Sequence, residues 1–215
     1  IYRYIYVLPR GSLKTTLIQA LRQERAYRRK RKRGNHEETR GKIAEMLSIE
    51  ERPQEVADRT VPGHWEGDLI LGKHKHTALG TLVERTTRYT LLVPLKAKDA
   101  TSVRKAYAKE LRSLPREITK TLTYDQGKEM SEHKQFTMDT GIAVYFAHPG
   151  SPWERGTNEN TNGLLRQYFP KGTEFDKVST REIKRVQREL NDRPRAVLCW
   201  KKPIEVINHL VALKV

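Results

Sequence analysis

Apolar and polar residues alternate along His64-Trp-Glu-Gly-Asp-Leu-Ile-Leu71, which predicts a buried strand. Trp65, Leu69 and Leu71 fall on one side of it; Glu66, Asp68 and Ile70 fall on the other. Two more apolar runs, 77–84 and 88–95, surround Arg85-Thr86-Thr87 and complete an antiparallel meander. A helix follows from the turn residues at Asp99, with Val103, Ala106, Tyr107, Glu110 and Leu111 on one side and Pro115 as its stop. Beyond it the pattern predicts a strand over 118–124, a helix over 129–140 closed by Gly141, and a strand over 142–146. Ser151-Pro152 then sets an extended backbone, and Gly156-Thr157 opens another helix with Thr157 as its N-cap. The order β-β-β-α-β-α-β-α describes an α/β domain, a mixed sheet with helices on its faces.

Helices are also expected on both flanks. One runs over 12–33 with Ser12 as cap, and a short one occupies 37–47. The stretch from Glu51-Arg52-Pro53 to Pro62-Gly63 reads as an extended linker, placing a boundary near 60 between a basic extension (1–60) and a core (61–215). After the core, Ser179-Thr180-Arg181-Glu182 starts a helix to about Asn191, and Pro203 begins a last short one to Leu210. Ile1 to Tyr6 reads as the tail of an apolar element, so an amino-terminal part is expected to precede it.

Charge changes the picture. The 215 residues carry 42 Lys and Arg against 26 Asp and Glu, a net charge of +16. Such an excess points to a polyanion, most simply nucleic acid. Arg28, Arg29, Lys30, Arg31, Lys32 and Arg33 form its densest run and are expected to contact phosphates rather than serve only as a solvated linker. No apolar run is long enough to span a bilayer, and no basic amphipathic helix with an aromatic face argues for a membrane surface. The single Cys199 excludes an intramolecular disulfide framework and a cysteine zinc finger; beside Trp200 it is expected to be a packed small hydrophobe. With no signal-peptide pattern at the start, a cytoplasmic location is expected.

Candidate chemistry lies in three acids. Asp68 stands mid-strand, Asp125 at a strand's carboxyl end, and Glu159 in the first turn of a helix. Glu159, Gly163 and Arg166 share one helix face: a carboxylate, a gap and a cation. Three hard oxygen donors suit Mg²⁺ or Mn²⁺, and two such ions can serve both oxygens of an in-line phosphoryl displacement. Glu66 and Glu129 are further possible ligands, better placed to support the first three. Two acids on an apolar strand demand either a metal or a cationic side chain as partner. Glu154 is expected to be exposed and His148 to be a turn residue; Trp65 fits the core, and Trp153 could stack on bases. His74 and His76 lie in a polar loop and read more naturally as solvated than as ligands.

Order and spacing sharpen the pattern. Thirty-three residues, 126 to 158, separate Asp125 from Glu159. The element order with these acids resembles the ribonuclease H-like fold of the retroviral integrase superfamily. Gly63-His-Trp-Glu-Gly-Asp68, Thr123-Tyr-Asp-Gln-Gly-Lys-Glu-Met130 and the run from Ser151-Pro-Trp-Glu-Arg-Gly156 to Tyr168 resemble the IS30-family transposases of bacterial insertion sequences. Arg52-Pro53 and Leu190-Asn-Asp-Arg-Pro-Arg195 agree, so the resemblance covers nearly the whole chain. It implies a transposase that cleaves the element's ends and transfers them to target DNA, with Asp68, Asp125 and Glu159 as catalytic and metal-binding triad. It also implies Asn160, Gly163, Arg166 and Lys171 near DNA, double-stranded DNA as partner, a homodimer or larger assembly, and an amino-terminal helix-turn-helix region ending near Val7. One departure is His148-Pro149, where the family commonly has Asp-Pro. The rival expectation is a DNA-binding regulator or inactivated copy without catalysis; a hybrid-specific nuclease would share the fold.

Overall fold

The computed structural model describes residues 2–21 and 43–212. The chain divides into two compact units, Ile1–Gly41 and Lys42–Val215. The smaller contains α1 (Tyr2–Val7) and α2 (Ser12–Gln19). Lys14 fastens the turn between them by donating to the carbonyls of Tyr6 and Leu8 at 3.2 and 2.7 Å. Gly11, not Ser12, stands at the N-cap of α2, and it makes no side-chain cap. The remainder of the helix expected over 12–33, and with it the cations 28–33, lies outside the described residues.

The larger unit runs β1 (Leu47–Ser48), α3 (Glu55–Asp58), β2 (His64–Leu71), β3 (Ala78–Glu84), β4 (Thr90–Pro94), α4 (Ala100–Arg112), β5 (Thr121–Tyr124), α5 (His133–Thr140), β6 (Ala143–Phe146), α6 (Gly156–Leu165), α7 (Thr180–Asp192) and α8 (Pro203–Ala212). Its sheet has the order β1-β6-β5-β2-β3-β4. The meander β2-β3-β4 is antiparallel, while β5 lies parallel to β2 and β6 parallel to β5. The mixed sheet of the ribonuclease H-like expectation is therefore present. It gains an unexpected edge strand, because β1 pairs in parallel with β6. Residues 43–46 form no helix, and Ser48 and Glu51 make a reciprocal capping box that turns the chain into a short 3₁₀ segment. The stretch expected as an extended linker thus holds α3, and position 60 falls inside the larger unit.

The alternation along β2 sorts two cores. Trp65 packs with Leu82, Tyr107, Leu122, Tyr124 and Phe136 beneath α4 and α5. Its ring N–H donates to the Ile118 carbonyl at 2.7 Å, so the buried indole leaves no polar atom unpaired. Ile70 packs with Leu79, Leu92, Leu165, Val186 and Leu190 beneath α6 and α7. Gly67 and Gly80 allow the aromatic layer to lie close to the sheet. A Cβ at Gly67 would stand 2.8 Å from the Tyr124 ring, and one at Gly80 2.5 Å from Tyr107. The Tyr107 hydroxyl donates to the Asp68 carbonyl at 2.8 Å and steadies β2 at that residue.

Local signals set most boundaries. The Asp99 and Ser179 side chains cap α4 and α7, and Gly141 closes α5 in the left-handed region. Short 3₁₀ turns delay two expected elements, so β5 begins at Thr121 and α5 at His133. Cys199 is exposed, contrary to expectation. It and Trp200 adopt positive φ values of 52° and 65°, in a turn after Leu198 that leaves both on the surface.

Candidate active site

Asp68 projects from the middle of β2 toward α6. Its Oδ1 accepts from the Leu69 backbone N–H at 2.8 Å and its Oδ2 from the Asn162 amide at 2.9 Å. Asp125 follows β5 directly, and its Oδ1 accepts from the Gly127 N–H at 3.1 Å, a local turn that fixes the side chain. The parallel pairing of β2 with β5 brings the two acids to the same guanidinium. Arg155 Nη2 donates to Asp125 Oδ2 at 3.2 Å, and Nη1 donates to the Gly67 carbonyl at 2.9 Å while standing 3.7 Å from Asp68 Oδ1. Each acid of this strand faces a guanidinium, Glu66 that of Arg85 and Asp68 that of Arg155.

Electrostatics agrees with this placement. Burial pushes the Asp68 carboxyl above the usual range; Arg155 opposes the shift, and the charges of Asp125 and Glu159 reinforce it. Burial raises Glu129 as well, with Asp125 and Asp68 adding to it. All four carboxylates therefore lie within one electrostatic neighbourhood. They are not closed around a point: among the described residues, no three His, Cys, Asp or Glu side chains are gathered tightly enough to hold a metal ion. Asp68 and Asp125 converge, while Glu159 stands exposed on the first turn of α6.

The position of α6 is fixed from below. Glu66 is fully buried. Its Oε2 accepts from the Asn158 backbone N–H at 2.8 Å, and its Oε1 from Arg85 at 2.5 Å. The Asn158 amide donates to the carbonyls of Glu66 and Thr81, and the Thr81 hydroxyl donates back to Asn158 Oδ1. A carboxylate at a helix N-terminus is favoured by the dipole, and here it also pins the residue before Glu159 to β2 and β3. With its oxygens so engaged, Glu66 supports the site rather than offering a ligand. Thr157 is not the N-cap. The 3₁₀ turn Pro152–Arg155 runs straight into α6, and the Thr157 hydroxyl accepts from Arg88 instead.

The residues expected near DNA differ in their surroundings. Asn160 and Lys171 are exposed. Gly163 faces open space, with nothing within 4 Å of where a Cβ would be. Arg166, expected to face DNA, donates to the carbonyls of Leu71, Phe169 and Pro170 at 3.0, 3.4 and 3.3 Å and ties the end of α6 to β2. Trp153 is exposed. His148 does more than turn the chain: Glu154 accepts from its backbone N–H at 2.8 Å and pairs with its ring Nδ1 at 2.9 Å, which raises the imidazole pKa. That contact half-buries Glu154, which the sequence left exposed.

Sequence reasoning passed over Arg155, Asn158 and Asn162. A signal for two of them was present, since Asn158 immediately precedes Glu159 and Asn162 follows it by three residues, one helical turn. Arg155, four residues before Glu159, stood as near, but its pairing was not legible, because Asp125 and Asp68 lie 30 and 87 positions away.

Comparison with known proteins places this geometry. Residues 58–152 match the integrase core domain. A transposase for insertion sequence element IS1086 from Cupriavidus metallidurans is 49% identical over 212 residues, covering 99% of this chain and 62% of the relative. Transposase InsI for insertion sequence element IS30A from Escherichia coli is 45% identical over 215 residues, covering 99% of this chain and 56% of that one. The chain thus spans about three fifths of the length of such relatives. A chain of the simian T-cell lymphotropic virus intasome in complex with PP2A regulatory subunit B56 gamma superposes with a TM-score of 0.55 at 19% identity, over 67% of this chain and 54% of that one, a likeness of fold. Along nearly its whole length, then, the chain is a homologue of the IS30-family insertion-sequence transposases, built on a ribonuclease H-like integrase core.

Proposed function

We propose that this chain is the catalytic part of a transposase that cleaves DNA at the ends of an insertion sequence and joins the freed 3′-hydroxyl to target DNA. The observation that carries it is the meeting of Asp68 and Asp125, from adjacent strands, on a single cation, with Glu159 in the next layer above them. A place where two carboxylates already hold positive charge suits a divalent ion. The buried Asn162 Oδ1 beside Asp68 accepts no hydrogen bond among the described residues, which leaves one more oxygen donor for it. Asp68 and Asp125 would hold Mg²⁺ or Mn²⁺, and Glu159, which stands apart from them in this structure, would have to join them from α6. When bound, a pair of such ions supplies Lewis acidity to the attacking and leaving oxygens of an in-line displacement.

The protein's own residues do the rest. Arg155 holds Asp68 and Asp125 by charge and would have to give way to an ion bound there, while Glu66 and Asn158 anchor α6 to β2. Asn160 and Lys171 lie exposed for the DNA backbone, and the cations 28–33 add sequence-independent attraction. Two element ends must be brought together, so the working form is at least a dimer on double-stranded DNA. Among the described residues no helix is long and apolar enough to cross a membrane.

The test is a nicking and strand-transfer assay on an inverted-repeat end. Cleavage should require Mg²⁺ or Mn²⁺ and vanish in Asp68→Ala, Asp125→Ala and Glu159→Ala, while all three variants still bind DNA. Binding without any metal-dependent cleavage by the unaltered protein would support the regulator instead.

A further inference from the structure

Arginines crowd beside α6 on a flank the active site does not use. Gly156, Thr157 and Asn160 line one side of a cleft of about 210 Å³, and Arg59, Arg88 and Arg195 line the other. Arg59 follows α3, Arg88 lies in the turn between β3 and β4, and Arg195 follows α7, so the fold gathers them from three distant places.

The two acids whose charge reaches Arg88, Glu66 and Glu84, are already engaged elsewhere. Glu66 is engaged by Arg85 and Asn158. Glu84 accepts from the backbone N–H groups of Gly63, Thr86 and Thr87 and from the Thr87 hydroxyl. Arg88 donates to the neutral Thr157 hydroxyl, and its buried Nε has no hydrogen-bond partner among the described residues. Burial, then the like charge of Arg59, lowers the Arg88 pKa. Like charges facing one cleft repel, and an anion between them relieves the repulsion. Guanidinium forks favour the tetrahedral oxygens of phosphate.

We propose that this cleft seats one backbone phosphate of the DNA strand that passes Glu159. Asn160 links the two places, since it lines the cleft and adjoins Glu159 in sequence. The proposal rests on the DNA-processing function above and adds a subsite to it. The cleft fixes where the strand lies along α6, independently of the carboxylates.

The test measures duplex binding in EDTA, where no cleavage occurs, so its outcome is separate from that of the nicking assay. Arg59→Gln should weaken binding to every sequence and reduce the slope of log K against log salt by about 0.9, the value of one lost phosphate contact. Arg88→Gln should do the same, with a thermal melt to verify folding. Replacing backbone phosphates one at a time by neutral methylphosphonate should reveal one linkage whose loss weakens the unaltered protein but not Arg59→Gln. An unchanged salt slope in Arg59→Gln overturns the proposal. So does a cleft that takes inorganic phosphate, seen as an Arg59-dependent rise in melting temperature, while the DNA slope stays the same.

Discussion

Residues 66 and 68 of β2 point to the same side of the sheet, and each has an arginine near its carboxylate. There the likeness ends. Glu66 is fully buried against an Arg85 side chain that is 5% exposed, and both its oxygens are occupied. The Asp68 and Asp125 side chains are 24% and 43% exposed, and they share Arg155 at 3.7 and 3.2 Å. A closed ion pair that also bonds a helix terminus is scaffold, because losing either partner strands a charge away from water. A half-open pair at longer distance can exchange its cation, because solvent shares the cost of the rearrangement. Two residues along one strand thus differ in how closed their ion pairs are.

Substitutions should separate the two pairs, and the largest effects belong at the open one. Asp68→Asn, Asp125→Asn or Glu159→Gln should lower metal-dependent cleavage about a thousandfold, since several kcal/mol of charge stabilisation disappear. Their urea midpoints should stay close to that of the unaltered protein. A large fall in stability would show that these acids are scaffold too.

The next effect belongs at the closed pair. Glu66→Ala should cost about 3–5 kcal/mol in equilibrium unfolding, because Arg85 and the Asn158 N–H lose their buried acceptor. Retained stability would mean that α6 is held by its apolar face alone. Arg155→Met should be milder, about 1–3 kcal/mol without metal, chiefly because the buried Gly67 carbonyl loses its donor while water partly screens the two aspartates. Added Mn²⁺ should then raise the melting temperature more than in the unaltered protein, where Arg155 would compete with the ion for the two aspartates. An equal or smaller rise would contradict the exchange of Arg155 for an ion.

The smallest effect concerns His64, which shares the face of Glu66 and Asp68. Burial holds its imidazole pKa below the ordinary value, although Glu55 works against the shift. The unfolded chain therefore takes up this proton first as pH falls. Stability from this group is complete above about 6.5 and is lost as pH drops from there toward the lower folded value. His64→Gln should flatten that part of the pH–stability curve in urea titrations between pH 8 and 5.

What could be read in the chain, and what could not, follows from the range of the interactions. Alternation over 64–71 gave β2 and both of its faces, because side-chain direction in a strand is a matter of neighbours two residues apart. Asp99, Gly141 and Ser179 marked helix ends because caps act within a turn. The places of Asp68, Asp125 and Glu159 at mid-strand, strand end and first helical turn were legible for the same reason. The edge strand β1 was not, since two residues gain a strand's geometry only from the exposed side of β6.

The order of strands and helices from β2 to α6, the excess of positive charge and the supply of acids can all be read along the chain. The tertiary structure alone decided how those charges are matched: Arg155 between two aspartates, Arg166 on carbonyls, Glu66 beneath α6, and Arg59, Arg88 and Arg195 around one cleft. Local preferences are written in neighbouring residues. The pairing of charges depends on which distant segments the packed sheet brings within a few ångströms, and on how much water remains between them.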